Sequence, residues 1–74
     1  MKSYRNPDSG ITGYDYGDRW ILIRFVGGAI HAYTLARIGA KHLAELKRLA
    51  DSGDGLNTYI NTHPQVKDGS SRIE

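Results

Sequence analysis

The spacing of hydrophobic residues changes once along the chain, near position 35, and the change separates a strand-forming half from a helix-forming half. Before it, apolar and aromatic residues form short extended runs at 10–16, 20–26 and 29–34. The runs are separated by Gly17-Asp18 and Gly27-Gly28, which are typical of hairpins because glycine supplies the positive φ that tight turns need. This half of the chain therefore predicts a three-stranded antiparallel β-meander.

After the change, leucines recur at three- and four-residue spacing, which places them on one face of a helix. This apolar face consists of Leu43, Leu46, Leu49 and Ala50. It predicts one main α-helix of about three to four turns. Gly53 is predicted to end this helix in a left-handed conformation.

A short second helix is predicted next. Asp54 is expected to cap its first turn, and His63-Pro64 is expected to end it. Its apolar side consists of Leu56, Tyr59 and Ile60.

The fold class predicted from these patterns is α+β: a three-stranded antiparallel β-meander followed by one main α-helix and a short second helix. The 74 residues leave room for one domain, which we expect at 10–63. We expect residues 1–9 to be a flexible lead-in and residues 64–74 a flexible C-terminal tail, because both are polar and lack periodicity.

No segment of the sequence has the character of a membrane anchor. The longest unbroken apolar run is 20–23, far below the roughly 20 residues that span a bilayer. No apolar stretch follows the basic N-terminal residues, as it would in a signal peptide. We therefore expect a cytoplasmic protein without a membrane partner.

The second run is apolar on both of its faces. Side chains alternate across a strand, so one layer of helix can cover only one of the two sets. The sets are Ile21, Ile23 and Phe25 on one side, and Trp20, Leu22 and Val26 on the other, where only Arg24 interrupts them. The second face must be covered by the C-terminal segment, by another subunit or by a ligand.

Many residues occur in the order and spacing of a known family. They are Gly13-Tyr14-Asp15, Ile21-x-Ile23-x-Phe25-x-x-Gly28, His31-x-Tyr33, His42-Leu43 and Ser52-Gly53-x-Gly55-Leu56-Asn57-x-Tyr59-Ile60. Together they resemble the KTSC domain, a short bacterial module named for its occurrence at the C-terminus of some lysyl-tRNA synthetases. The resemblance implies structural roles for Phe25, Gly28, Tyr33, Gly55 and Asn57. The synthetase connection implies RNA binding.

The central Tyr-x-Tyr signature of that family reads His31-Ala32-Tyr33 here, and the register of the second hairpin decides which way this motif faces. A two-residue loop at Gly27-Gly28 places His31 and Tyr33 on the same face as Trp20. A three-residue loop at 26–28 places them under the helix instead, since one residue of slip reverses every side chain. We favour the three-residue loop, because it explains an aromatic motif as core.

Enzyme chemistry is not indicated. The three histidines, His31, His42 and His63, are scattered, and there is no cysteine, so neither a His-Glu-x-x-His helix nor a thiolate metal site is present. No serine lies in a Gly-x-Ser-x-Gly elbow. We therefore expect no catalysis, no cofactor and no metal.

Charge and aromatic residues together suggest a nucleic-acid surface. The net charge is +2, yet residues 19–48 hold six of the ten cations and only one of the eight acids. Single-stranded nucleic acid is held by aromatic platforms and by cations that follow its backbone. The candidate RNA-binding residues are Trp20, Arg24, His31 and Tyr33 on the sheet, and Arg37, Lys41 and Arg48 at its rim.

Two hypotheses for the function follow. The first is a small accessory RNA-binding module without catalysis. The second is a protein-interaction or homodimerising module that uses the second sheet face or an open strand edge.

Overall fold

The computed structural model describes residues 1–6 and 9–74 of the chain, so positions 7 and 8 of the predicted lead-in lie outside the described residues. The described part folds into an antiparallel sheet whose strands lie in chain order, β1 to β5, and into helices inserted between β4 and β5. The elements are β1 (Lys2–Ser3), β2 (Ile11–Gly17), β3 (Trp20–Phe25), β4 (Ile30–Thr34), α1 (Leu35–Ser52), α2 (Leu56–Thr62), α3 (Pro64–Asp68) and β5 (Ser71–Arg72). The α+β class is confirmed, but the sheet has five strands where the sequence predicted three.

The β3–β4 hairpin has the three-residue loop that the sequence favoured. The Phe25 N–H donates to the Ala29 carbonyl oxygen at 2.8 Å, and the Gly28 N–H donates to the Phe25 carbonyl oxygen at 3.0 Å. Gly27 and Gly28 have φ values of 96° and 95°, a region in which glycine alone escapes the Cβ clash. Register then places residue 31 opposite residue 23 and residue 33 opposite residue 21, so the aromatic motif faces the helices.

Helix α1 is longer than predicted, with 18 residues, and it is kinked at Gly39, whose φ of 84° and ψ of 162° are not helical. Its apolar stripe packs on β3 and β4 as expected, since Leu43, Leu46 and Ala50 are buried. Gly53 ends it with φ 78° and a hydrogen bond from its N–H to a carbonyl oxygen one turn back. That end was predicted correctly.

Helix α2 does not begin with the predicted cap. The N-cap is Gly55, with φ 84°, and the N–H of the first helical residue, Leu56, donates to the Tyr4 hydroxyl oxygen at 3.3 Å. Asp54 therefore does not have the role that the sequence suggested. A left-handed N-cap turns the chain in a way that a non-glycine residue would adopt only with strain. Asn57, predicted to be structural, donates its side-chain N–H to the Ser9 carbonyl oxygen and so ties α2 to the start of β2.

Both ends of the chain contribute to the domain, which corrects the boundaries predicted for lead-in and tail. Strand β1 pairs with β2, and Tyr4 is 4 % exposed. At the other end β5 pairs with β4, and Val66 of α3 is fully buried. These segments were missed because two-residue strands and a single buried valine leave no periodic pattern.

The core lies between the sheet and the helices, on one side of the sheet. The buried sheet residues are Tyr4, Ile11, Tyr14, Ile21, Ile23 and Tyr33, and the buried helix residues are Ile38, Leu43, Leu46, Ala50, Leu56, Ile60 and Val66. The alternate side chains of the strands point to the opposite side of the sheet, where the described residues place no helix. The sheet therefore has one covered face and one open face.

Candidate functional site

The open sheet face is an apolar surface that the described residues leave uncovered. Its centre is formed by Leu22 of β3 together with Ala32 and Ile30 of β4, all half-buried. Two larger apolar side chains lie more openly on it: Trp20 is 37 % exposed and Met1 is 51 % exposed. Single exposed hydrophobic residues are ordinary, but a contiguous group of them marks an interaction site.

Two glycines of β2 make this face flat. Gly17 pairs with Trp20, and a Cβ added at Gly17 would lie 2.6 Å from the indole Nε1. Gly13 pairs with Arg24, and a Cβ there would lie 3.1 Å from the guanidinium Nη2. The indole and the guanidinium therefore both lie down across β2 where no side chain obstructs them.

The open face is also close to neutral. The charged residues of β2, β3 and β4 are Asp15 and Arg24, and register puts both on this face. Arg24 donates its Nε–H to the Thr12 hydroxyl oxygen at 3.0 Å, which holds the guanidinium against the sheet. Among the side chains of these three strands, an extended polyanion would meet one cation here and an acid beside it.

The four residues predicted as a stacking platform are divided between the two faces of the sheet. Trp20 and Arg24 lie on the open face, whereas Tyr33 is 1 % exposed in the core, and burial raises its pKa to about 12. His31 is half-buried on the covered side, with its ring edge against Phe25 at a centroid distance of 5.2 Å. The sequence grouped these four residues by side-chain type, and the register places two of them on each face of the sheet.

The three cations predicted for the rim lie on α1, the helix that packs on the covered face of the sheet. Arg37, Lys41 and Arg48 are all exposed. Arg48 forms a fork with Glu45, its Nε and Nη2 donating to the two carboxylate oxygens at 2.6 and 2.8 Å. Lys41 and Arg48 line a groove between α1 and α2, so they do not form one surface with the platform residues Trp20 and Arg24 on the open face.

A second groove, between α1 and α2, brings Lys41 and Arg48 close to aromatic rings that the sequence reasoning did not select. The rings of Tyr59 and His63 stack at a centroid distance of 3.9 Å. His42 Nδ1 lies 2.7 Å from the Tyr59 hydroxyl oxygen. The missed signal was the four-residue spacing of Tyr59 and His63, which puts both on one helix face.

A cluster of polar side chains joins β2 to the C-terminal end of α1. Tyr14 and Tyr16 donate their hydroxyl hydrogens to the two oxygens of Asp51, at 2.8 and 2.6 Å, and the Lys2 ammonium lies over both rings. These hydrogen bonds hold the pKa of Asp51 below its ordinary value. The pKa of Tyr14 is raised to about 12, mainly by burial and secondly by the hydrogen bond to the Asp51 carboxylate. A carboxylate satisfied by two protonated phenols is a structural tie.

The described part of the chain contains neither a cluster of metal ligands nor a membrane-spanning helix. Among residues 1–6 and 9–74, no three histidine, aspartate or glutamate side chains lie close enough together to hold a metal ion. Within the same residues, no helix is both long enough and apolar enough to cross a membrane.

Comparisons with known proteins identify no relative. The chain matches no family model, no curated protein and no solved structure. The function must therefore be argued from the geometry of this chain.

Proposed function

We propose that this chain is a non-catalytic interaction module that binds a second copy of itself through the open sheet face. The observation that carries the proposal is the flat, neutral, apolar surface on which Trp20 lies across Gly17. Tryptophan and arginine are the residues most enriched at the centres of protein interfaces, and both are held in place here.

The composition of the face favours protein over RNA as its partner. Single-stranded RNA is held by several stacked rings and a row of cations, whereas β2, β3 and β4 contribute to this face one large aromatic ring, Trp20, and one cation, Arg24. Leu22, Ile30 and Ala32 fill the space between them. An aliphatic centre depleted of charge is the composition of a protein–protein interface core.

A second copy is the partner that the charge pattern fits. The face carries one positive and one negative side chain, Arg24 and Asp15, so it does not repel an identical face, and a two-fold pair can match opposite charges. Two antiparallel sheets pack face to face at about 10 Å, with their strands about 30° apart. The face occupies one side of a molecule measuring 28 × 24 × 23 Å.

Trp20 fluorescence tests this proposal directly, because the chain contains one tryptophan. We expect the emission maximum to move to shorter wavelength as protein concentration rises, since pairing removes the indole from water. Leu22→Arg should abolish the shift, because pairing would then bury two extra like charges face to face. Ala44→Arg, an exposed position on α1, is the matched control and should shift like the wild type.

Two results would contradict the dimer. One is an emission maximum that does not change with concentration in the wild type. The other is an equal shift in the wild type and in Leu22→Arg. A shift that appears only on adding single-stranded RNA, and is preserved or enlarged in Leu22→Arg, would assign the open face to RNA.

RNA binding is the second candidate function, and the groove between α1 and α2 favours it. There the stacked rings of Tyr59 and His63 lie beside Lys41 and Arg48, the combination of ring and cation that single strands use. The resemblance to the KTSC domain supports the same proposal through the residue order of the sequence.

Salt dependence tests the RNA candidate. The two cations that line this groove, Lys41 and Arg48, give a slope of log affinity against log salt of roughly −0.7 × 2, or about −1.4. Lys41→Ala should reduce the slope by about 0.7, whereas Arg24→Ala, on the other side of the molecule, should leave it unchanged. Equal effects of the two variants, or no binding at about 50 mM salt, would exclude this groove.

A further inference from the structure

A cavity of about 400 Å³ opens between the end of the β3–β4 hairpin and the helices α2 and α3. It lies on the covered side of the sheet, so it is separate from the open face. Its lining residues that matter here are Phe25, His31, Tyr33, Ile60, Asn61 and Lys67. This volume lies within the range of small-molecule sites, about 300–1,000 Å³.

The floor and one wall of the cavity are apolar and aromatic. Tyr33 and Ile60 are 1 % and 3 % exposed and form a firm floor, because both belong to the core. The wall is the pair of Phe25 and His31, whose rings meet edge to face at 71°. Aromatic and apolar side chains of this kind pack well against the faces of a flat ring.

The rim of the cavity supplies side-chain amides in a fixed arrangement. Asn57 is oriented by its hydrogen bond to the Ser9 carbonyl oxygen, and it accepts one from the Asn61 amide at 3.3 Å. Within the described residues, no hydrogen bond engages the Asn61 carbonyl oxygen. An amide that presents a donor and an acceptor side by side can read the edge of a planar heterocycle.

The charges at the mouth distinguish between ligand classes. Lys67 and Asp68 are adjacent on α3, and both line the cavity, so the mouth has no net charge. A free phosphate or a simple carboxylate would meet one cation and one acid, which gives little attraction. A neutral ring that carries hydrogen-bonding groups fits this mouth better, and Lys67 can still contact a phosphate attached to it.

We propose that this cavity binds a planar nitrogen heterocycle of the nucleobase class. The aromatic wall and apolar floor hold the ring faces, and the Asn57–Asn61 pair reads the ring edge. The base can belong to a free nucleotide or to one unstacked nucleotide of an RNA strand. The inference does not depend on the dimer proposal, since the two sites lie on opposite sides of the sheet.

Titration of ¹⁵N-labelled protein tests the inference, with adenosine, guanosine, cytidine and uridine monophosphates and with a four-nucleotide RNA as probes. At least one probe should shift the side-chain amide signals of Asn57 and Asn61 and the backbone signal of Ile60. Asn61→Ala, an exposed position, should weaken that binding by about tenfold, the effect of losing one good polar contact. Thr58→Ala, also exposed on α2, is the matched control and should bind like the wild type.

The outcomes separate the source of the base and can overturn the inference. Shifts with mononucleotides would show that the cavity binds a free nucleotide. Shifts with the oligonucleotide alone would show that it binds a base within a strand. Absence of cavity shifts with every probe up to about 10 mM, ten times a Kd of 1 mM, would overturn the proposal. Shifts confined to Lys41, Tyr59 and His63 would also overturn it and would assign binding to the groove between α1 and α2. If Asn61→Ala binds with wild-type affinity, Asn61 does not contact the edge of the ring. If Phe25→Leu also binds with wild-type affinity, the probe does not bind in this cavity.

Discussion

Truncation of Val66 tests whether the C-terminal segment is part of the folded unit. This side chain is 0 % exposed in α3, although the sequence predicted a flexible tail there. Val66→Ala removes the equivalent of two methylenes, about 1.6 kcal/mol of transfer free energy at about 0.8 each. The space left behind adds up to about 1 kcal/mol, depending on how far the neighbours relax. We expect a loss of about 2 kcal/mol, nearly half of the roughly 3–5 kcal/mol that a core of this size supports.

Urea unfolding measures this loss. With a slope near 1 kcal/mol per molar, as expected for a small domain, the midpoint should fall by about 2 M. Lys67→Ala changes an exposed side chain on the same helix and should stay within about 0.5 kcal/mol of the wild type. All variants must be compared at one low protein concentration, because self-association adds to apparent stability. Equal midpoints for Val66→Ala and Lys67→Ala would refute the placement of α3 in the core.

Two further predictions concern titrating groups that the fold perturbs. Asp51→Asn should lower stability at pH 7 by less than about 1 kcal/mol, because the carboxylate is exposed. Since the pKa of Asp51 is lowered in the folded protein, its stabilisation is present above the unfolded value of about 3.9 and is lost as pH falls through the folded value. The difference between Asp51→Asn and wild type, measured by urea unfolding, should therefore vanish in acid, and a constant difference would contradict this reasoning. Burial raises the pKa of Tyr33 to about 12, so its contribution is complete below the unfolded value of about 10 and is lost as pH rises from there toward 12. Between about pH 10 and pH 12, the free energy of unfolding of Tyr33→Phe should therefore fall less than that of the wild type. An equal fall in both proteins would show that ionisation of Tyr33 does not cause the loss of stability.

The parts of the fold that the sequence predicts are those with a repeating pattern. Leu43, Leu46 and Ala50 follow the helical period and are buried, and the two glycines before Ala29 mark the position of the hairpin turn. Gly53 ends α1 as its position after the last leucine indicated. In each case the local signal and the tertiary structure agree.

The parts that it does not predict depend on contacts between distant segments. Tyr4 and Val66 are single apolar residues in polar surroundings, and they become core only because they pack in one buried cluster with residues of the sheet and the helices. The N-cap at Gly55 replaces the better capping residue Asp54 because the connection needs a left-handed residue at that position. No periodicity carries this information.

The candidate sites show the same division. The two-sided apolar pattern of 20–26 predicts an uncovered face, and Trp20 and Leu22 lie on it. Gly13 and Gly17 flatten this face because they pair with Arg24 and Trp20 of β3. The sequence does not specify that pairing. The cavity beside His31 is assembled from strands and from two helices, so it has no sequence signature.

Sedimentation equilibrium of the wild type and of Leu22→Arg, at concentrations from about 1 to 500 µM, tests the central claim most directly. This range covers the micromolar affinity expected of a modest interface. We expect a concentration-dependent rise toward twice the 8.2 kDa chain mass for the wild type and a monomer throughout for Leu22→Arg. A wild type that remains monomeric at the highest concentration, or a Leu22→Arg variant that associates equally well, would contradict it.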